Sequence, residues 1–335
     1  MGSDYMSLLK IAVVCHDAGA SEILVAFIKE HLEQAKWTIY APQGSPFETI
    51  AQREGLDTQN SLDFYGFDAL FFGTGWQEKI EREFVKEAKL SGIPSFAFLD
   101  HWSSYRERFD YPNESWRRNL PNYVVVSDDK AEQLAKQFAL AEVLLIDNFY
   151  LQNQIEQISH EEVSLSENLL FLSEPTQEVA LSTYADENYW GFTQYSALEE
   201  ILQNFEKFES TGLHIRLHPS QEKHHYTKVL KKFPHIKSQI YPASFYPLEK
   251  DLLRSKMIIG FDTMALYTAA LIHKPVLSFL PSNKREFVLP LPPSHQLRTL
   301  SGINQEHLKN LDLSLKGNGI NFATIQQKIE EFRQW

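Results

Sequence analysis

Residues 213–218 place two histidines and an arginine at alternate positions of a short apolar run that predicts a β-strand. Side chains alternate between the two faces of a strand, so His214, Arg216 and His218 would share one face. Pro219 ends the run, because proline has no N–H group to continue the hydrogen-bond ladder. A histidine or arginine at that strand end can hold a diphosphate or protonate a departing phosphate. The alternative is an edge strand whose polar face is only solvated.

A second candidate anion site follows the predicted strand at residues 256–262. Asp262 or Thr263 would be the N-cap of the next helix, whose free N–H groups bind anions. Simple capping is the alternative. Ser173 and Glu174 end another predicted strand, and they are either ligand-binding residues or ordinary turn residues.

Polar residues also follow the first predicted strand of the chain, at residues 8–15. His16 and Asp17 form a histidine–carboxylate pair that is a candidate general base. Gly19 allows the backbone to approach a ligand, and the following helix offers free N–H groups. The alternative is a tight turn with a helix cap. The segment does not contain the GxGxxG pattern, so it does not predict a dinucleotide site.

The densest group of polar and aromatic residues is the segment 100–109, after the predicted strand at 93–100. Two exposed aromatic rings in a loop suggest stacking on a sugar, with charged groups bonding to its hydroxyls or to a carboxylate. The alternative is a loop held by salt bridges. Small residues after the predicted strand at 67–73 leave room for a ligand, or form a tight turn. The candidate residues in these two segments are Asp100, His101, Trp102, Tyr105, Arg106, Gly73 and Thr74.

The predicted strands are continuous apolar runs that alternate with helices, which indicates parallel sheets covered on both faces. The same order restarts after residue 165, and the polar segment 149–167 fits a domain connector. We therefore predict an α/β fold with two Rossmann-like domains facing each other across a cleft, where the carboxyl ends of both sets of strands would bind ligand. The predicted domains are 1–150 and 151–320, with an amphipathic helix in 321–335 packing back on the first domain.

The composition limits the classes of partner. The chain has 335 residues and a net charge of −12, which argues against nucleic acid or anionic lipid as the main ligand. Cys15 is the single cysteine, so an internal disulfide or a cysteine-based metal site is excluded. The His224-His225 pair lacks a completing ligand at a familiar spacing, so no metal is predicted. We expect a cytoplasmic protein with at most peripheral membrane association, because no long apolar segment or signal peptide is evident.

The second half of the chain resembles the donor-binding half of GT-B glycosyltransferases. The groups most similar are bacterial sialyl-, polysialyl- and capsule-type transferases, which have a His-Pro motif followed by a Ser/Thr-rich motif. The resemblance covers roughly residues 143–280. The second motif reads Phe-Asp-Thr here in place of paired Ser/Thr, and residues 145–149 lack the Gly and Pro of the family's junction motif. The matching residues are His218, Pro219, Gly260, Thr263, Lys274, Pro275 and Val276.

This resemblance implies a nucleotide-sugar donor, a glycan acceptor, and no metal or other cofactor. His218 would contact the donor phosphate or act as general acid, and Thr263 would bind phosphate. The first half would bind the acceptor and supply the base, which is Asp17 or its rival Asp100. The implied reaction is an inverting transfer in surface polysaccharide or glycoconjugate synthesis. Two alternatives are a nucleotide-sugar 2-epimerase or hydrolase of the same fold, and a non-catalytic subunit that binds a sugar or nucleotide.

Overall fold

The computed structural model describes residues 8–61, 63–75, 79–315 and 322–334. The chain divides into two compact units. Unit 1 comprises Met1–Gln152 and Leu315–Trp335, and unit 2 comprises Asn153–Ser314. Each unit contains one sheet in which every pairing between described strands is parallel. The predicted class, two Rossmann-like α/β sheets, is confirmed.

The sheet of unit 1 has seven described strands in the order β3-β2-β1-β4-β5-β6-β7. The direction in which successive strands are added therefore reverses between β1 and β4, and ligands of such sheets bind outside the carboxyl ends at that reversal. Strand β1 has five buried residues of six, as expected of a strand covered on both faces. The strands are β1 (Leu9–Val14), β2 (Ala35–Tyr40), β3 (Thr58–Gln59), β4 (Ala69–Phe72), β5 (Ser95–Phe98), β6 (Tyr123–Val126) and β7 (Glu142–Leu145).

The sheet of unit 2 has six described strands in the order β10-β9-β8-β11-β12-β13, with the same kind of reversal between β8 and β11. Its pairing brings Gly260 opposite Leu172. A Cβ atom on Gly260 would lie 3.2 Å from the Leu172 Cβ atom, so glycine permits this close pairing. The strands are β8 (Asn168–Leu172), β9 (Gly212–Arg216), β10 (Ser238–Tyr241), β11 (Met257–Gly260), β12 (Val276–Phe279) and β13 (Gln296–Leu297).

Helices connect the strands, as parallel pairing requires. The helix that follows β6 has Asp128 as its N-cap, whose Oδ1 accepts the Ala131 N–H at 2.8 Å. The helices are α1 (Ala18–Glu30), α2 (Pro46–Arg53), α3 (Ile80–Leu90), α4 (Asp129–Gln137), α5 (Phe149–Ser159), α6 (Thr176–Tyr184), α7 (Gln194–Gln203), α8 (Thr227–Leu230), α9 (Leu248–Arg254), α10 (Met264–Leu271) and α11 (Phe322–Arg333).

The division between the two units falls within the segment 149–167, and α5 occupies its first eleven residues, with Phe149 and Tyr150 packed against the core of unit 1. Strand β9 is not an edge strand, because it lies between β8 and β10. The helix at the end of the chain, α11, buries three side chains in the core of unit 1, namely Phe322, Ile325 and Ile329.

His31 is a buried polar residue within that core. It is 4% exposed, and neither ring nitrogen has a hydrogen-bond partner among the described residues. Aromatic rings surround it, with centroids 4.5 Å away at Phe27, 5.4 Å at Phe149 and 5.6 Å at Phe322. Burial lowers the pKa of His31 below its ordinary value of 6.5. The folded protein therefore resists protonation of His31 more strongly than the unfolded chain does.

We expect the free energy of unfolding to fall as the pH drops below about 6.5, where the unfolded chain gains this proton first. The variant His31→Leu should lose that component of the pH dependence and gain about 1–3 kcal/mol at pH 7, since it removes an unsatisfied buried group. Urea unfolding at pH 5.5 and 7.5 measures both effects. The exposed His160→Leu serves as control. An unchanged pH slope in the His31 variant would contradict the prediction.

Candidate functional site

The carboxyl edge of the unit 1 sheet brings together the segments after β1, β4 and β5. A Cβ atom on Gly19 would lie 2.1 Å from Asp100 Oδ2. A Cβ atom on Gly73 would lie 2.2 Å from the Cys15 Sγ atom. Both glycines are therefore required by close approach between segments that are far apart in sequence. Three of the predicted candidates of the first half, Gly19, Gly73 and Asp100, therefore lie at the edge where the strand order reverses.

Asp100 is held by a buried arginine that the sequence interpretation left without a role. Arg108 Nη1 lies 2.5 Å from Asp100 Oδ1, and the side chains are 7% and 15% exposed. The same Nη1 donates to the Thr74 carbonyl at 2.6 Å and to Thr74 Oγ1 at 3.0 Å. The Thr74 hydroxyl in turn donates to the Phe98 carbonyl at 3.1 Å. Asp100 is therefore fixed as an ion-paired carboxylate, and Thr74 belongs to its support.

Asp17 differs from Asp100 in its environment. Its side chain is half-buried at the N-cap position of α1, and it makes no ion pair with any of the described residues. Burial raises the pKa of Asp17, and the negative charge of Asp100 raises it further, against the opposing charge of Arg108. A carboxylate with increased proton affinity and partial access to solvent can act as a general base. Asp17 is thus better suited to proton abstraction than Asp100.

Glu81 is a candidate that the sequence interpretation missed. It lies in the first turn of α3 and is 2% exposed. Its Oε1 accepts the His16 N–H at 2.9 Å, and its buried Oε2 has no hydrogen-bond partner among the described residues. Burial raises the pKa of Glu81 to about 7. The available signal was its spacing from Val85 and Ala88, because positions i, i+4 and i+7 place Glu81 on the buried face of the helix.

The aromatic residues of the segment 100–109 are not exposed, and that expectation was wrong. Trp102 is 6% exposed, and its Nε1 donates to Asp128 at 2.8 Å. Tyr105 is 2% exposed, and its hydroxyl has no partner among the described residues. The loop folds over its own rings, since burial of large apolar surface stabilises it. His101 and Arg106 remain half-buried, with Arg106 over the Tyr111 ring at 4.1 Å.

In unit 2, His218 is exposed just beyond the end of β9. Its Nδ1 accepts the Ser220 N–H at 3.3 Å and lies 2.8 Å from Ser220 Oγ. Partial desolvation by the surrounding protein lowers the pKa of His218. A neutral ring whose Nδ1 is an acceptor carries its proton on Nε2. That Nε2–H group has no hydrogen-bond partner among the described residues and can donate to an anion.

His214 and Arg216 do not join His218, because both side chains have internal partners. His214 is buried and contacts Asn168 Nδ2 at 2.8 Å and Arg254 Nη2 at 3.1 Å. Arg216 Nη1 lies 2.5 Å from the buried Asp251. Its guanidinium also donates to the carbonyls of residues 246 and 243, at 2.9 and 2.8 Å. The alternation rule fails at His218 because β9 ends at Arg216. These contacts leave a phosphate-binding role for Arg216 without support.

At the strand reversal of unit 2, Ser173 and Glu174 follow β8. The Ser173 hydroxyl is hydrogen-bonded to the buried Tyr226 hydroxyl, which also accepts from Gln221 Nε2 at 2.9 Å. Gln221 Oε1 accepts the His218 N–H at 3.0 Å. This chain of contacts links Ser173 to the backbone of His218. Glu174 instead pairs with Arg285 at 3.1 Å. Ser173 therefore supports the His218 loop.

The other segment at this reversal is the one between β11 and α10. Asp262 is buried and accepts from the Ser278 hydroxyl at 2.9 Å and from the Val288 N–H at 3.2 Å. It therefore braces neighbouring segments and does not cap α10. Thr263 occupies the N-cap position of α10, and its side chain makes no capping hydrogen bond. Its hydroxyl and the first N–H groups of α10 suit an anion. His218 and Thr263 lie two strands apart on one edge, roughly 10 Å by strand spacing.

The described residues contain neither a helix that could span a membrane nor a cluster that could hold a metal ion. No described helix is long and apolar enough to cross a membrane. Within the same part of the chain, no three histidine, cysteine or acidic side chains are grouped so that they could hold a metal ion. The side chain of His225, from the pair considered above as a metal site, lies outside the described part of the structure.

No protein-family model and no curated protein matches the sequence. Solved structures match at low sequence identity. The UDP-GlcNAc 2-epimerase from Neisseria meningitidis bound to UDP-GlcNAc has a TM-score of 0.56 and 12% identity, over 97% of this chain and 93% of that chain. A UDP-glucosyltransferase from Polygonum tinctorium matches with a TM-score of 0.53 and 10% identity, over 98% of this chain and 93% of that chain. The UDP-N-acetylglucosamine 2-epimerase from Rickettsia bellii matches with a TM-score of 0.51 and 14% identity, over 81% of this chain and 79% of that chain. The fold of the chain is therefore the GT-B fold shared by such glycosyltransferases and epimerases.

Proposed function

We propose that the protein is an inverting, metal-independent glycosyltransferase that moves a sugar from a nucleotide-sugar donor to a hydroxyl group of a glycan acceptor. The observation that carries this proposal is Asp17. It is a half-buried carboxylate of raised pKa beside the fixed Asp100–Arg108 ion pair. The resemblance of the second half to capsule-type transferases supports a product in surface polysaccharide or glycoconjugate synthesis.

Unit 2 would bind the donor nucleotide. The Nε2–H of His218 and the N-terminus of α10 at Thr263 offer hydrogen-bond donors and a positive dipole end to a diphosphate. Such donors stabilise the negative charge that develops on the leaving group. UDP is the first nucleotide to test, since the names of the similar structures specify UDP-sugars.

Unit 1 would bind the acceptor and supply the base. The acceptor oxygen attacks the anomeric carbon as the bond to the donor phosphate breaks, and the nucleoside diphosphate leaves with the electron pair. Asp17 accepts the proton of the acceptor hydroxyl. A single displacement inverts the anomeric carbon. His16, His101 and Arg106 are half-buried near this edge and would bond to acceptor hydroxyls.

A nucleotide-sugar 2-epimerase is the second candidate, because two of the similar structures are UDP-GlcNAc 2-epimerases. The two functions differ in what they need and produce. An epimerase converts UDP-GlcNAc without an acceptor, and the product is still a nucleotide sugar. A transferase releases UDP in proportion to the acceptor that it glycosylates. A non-catalytic subunit binds the nucleotide sugar and releases nothing.

We expect a nucleotide or a nucleotide sugar to raise the melting temperature of the protein, since a ligand that binds only the folded state stabilises that state. The panel is UDP, CMP, GDP, CDP and their sugars. His218→Ala should raise the dissociation constant of the best ligand roughly 10- to 100-fold, which is the effect of losing a hydrogen bond to a charged group. His224→Ala, an exposed histidine of the same loop, is the matched control.

The products formed from the ligands that bind then distinguish a transferase from a hydrolase and an epimerase. Nucleotide release that requires a glycan acceptor and persists in EDTA supports a metal-independent transferase. Release without acceptor indicates a hydrolase, and a donor inverted at carbon 2 indicates an epimerase. If none of the nucleotides shifts the melting temperature, the proposed function is wrong.

A further inference from the structure

Glu81 lies beside the turn that carries Asp17 and has a feature that the proposed mechanism does not use. One carboxylate oxygen, Oε1, accepts the N–H of His16, the residue before Asp17, at 2.9 Å. The other oxygen, Oε2, is buried without a partner among the described residues. A buried carboxylate oxygen without a donor is costly when it is charged, and the cost falls when the group holds a proton.

Gly75 brings the two acidic residues close. A Cβ atom at this position would lie 3.2 Å from the Asp17 Cβ atom and 3.9 Å from Glu81 Oε1. Asp17 and Glu81 are therefore both close to Gly75, although they belong to different segments of the sheet edge. The charge of Asp17 contributes to the raised pKa of Glu81, so the two carboxyl groups interact electrostatically through surroundings that screen charge less than water does.

We propose that Glu81 is a positioning residue, which holds the turn that carries Asp17 and sets the proton affinity of Asp17 through its own protonation state. This inference rests on the proposed role of Asp17 as the base of the reaction. It adds to that role a second carboxyl group that does not touch the substrate.

The charged groups around Glu81 determine when it ionises. Burial is the main cause that raises the pKa of Glu81 to about 7, and the charge of Asp17 adds to it. Arg82 on the same helix opposes the shift, although its guanidinium pairs with Asp110 at 2.9 Å. Cys15 also faces this group, and burial raises the pKa of its thiol, so it stays neutral. Glu81 is therefore uncharged below about pH 7 and negatively charged above it.

The rate of the transfer reaction should depend on whether Glu81 is ionised. When Glu81 loses its proton, its negative charge opposes further charge on Asp17, so Asp17 becomes a stronger base. The rate of transfer should therefore rise through about pH 7, where Glu81 ionises. Glu81→Gln keeps an oxygen that accepts the His16 N–H and fixes the uncharged state. We expect this variant to match the wild type below pH 6 and to be roughly two- to fivefold slower above pH 8.

The turnover experiment is a pH–rate profile of nucleotide release for the wild-type protein, Glu81→Gln and Glu83→Gln. Glu83 is exposed two residues further along the same helix, so its variant should keep the wild-type profile. A Glu81→Gln profile that retains the inflection near pH 7 would overturn the inference. So would a uniform loss of rate at every pH, since that indicates a structural role only.

A second measurement does not depend on activity. Carbon-13 NMR of protein labelled at the aspartate side-chain carboxyl carbon, with Asp17→Asn to assign the resonance, follows Asp17 directly. We expect a small second step near pH 7 in the wild type and its absence in Glu81→Gln. With glutamate labelling, Asp17→Asn should lower the pKa of Glu81, because coupling is reciprocal. Absence of both effects would overturn the inference. Coupling in a protein that turns over no nucleotide sugar would instead make the proposed function wrong.

Discussion

Asp17→Asn should reduce turnover of the nucleotide sugar about 10²- to 10⁴-fold, which is the range that a general base contributes. Asparagine keeps the size of the side chain and can accept a hydrogen bond, but it cannot take the proton of the acceptor hydroxyl. The binding of the donor to unit 2 should be unchanged. The measurements are the rate of nucleotide release at saturating acceptor and the dissociation constant of the donor.

The melting temperatures of the two asparagine variants distinguish Asp17 from Asp100, the other candidate base. The pKa of Asp17 is raised, so its ionised form is disfavoured by folding, and the stability that it contributes falls as pH rises above its unfolded value near 3.8. Asp17→Asn should therefore leave the melting temperature at pH 8 unchanged or slightly higher. Asp100→Asn removes the partner of the buried Arg108 and should lower the melting temperature.

This pair of variants also shows which outcome contradicts the assignment. If Asp17→Asn retains its turnover while Asp100→Asn loses turnover at an unchanged melting temperature, then Asp100 is the base. The Arg108 contacts would in that case orient the base and would not merely stabilise the loop. Turnover retained in both variants would leave neither carboxylate as the base.

The sheets could be predicted because their signal is local. The run at residues 8–15 is apolar except for Lys10, and the structure places β1 at Leu9–Val14. A strand covered on both faces needs no alternation, so a short apolar run between helical segments is sufficient evidence. Strands β3 and β13 have only two residues each and carry no such signal.

The environment of individual side chains could not be predicted in the same way. Spacing predicted that Arg216 shares a face with His218. It could not show that Asp251, which is 35 positions further along the chain, lies 2.5 Å from the Arg216 guanidinium. Composition identified Trp102 and Tyr105, but it could not show that the loop buries their rings. Glu81 was hidden for the opposite reason. It stands among other charged residues in the sequence, and only the helical period places it on the buried face.

The contacts of Arg216 predict a large effect on stability and none on the donor phosphate. Its guanidinium lies 12% exposed against the carboxylate of Asp251, which is 2% exposed. Removing one partner of a buried ion pair leaves the other charge uncompensated, which costs about 3–5 kcal/mol. Asp251→Asn should therefore lower the free energy of unfolding by this amount, measured by urea denaturation at pH 7. Glu199→Gln, which breaks the exposed pair with Lys232, should cost less than about 1 kcal/mol.

The same variants decide the role of Arg216 itself. If Arg216 serves the fold, Arg216→Met should lower the free energy of unfolding, and the protein that remains folded should bind the nucleotide with an affinity close to that of the wild type. If Arg216 binds phosphate, Arg216→Met should keep its stability and lose affinity, as His218→Ala does. The three contacts that already use its guanidinium favour the first result, because a donor engaged with Asp251 and two carbonyls has little capacity for a further anion.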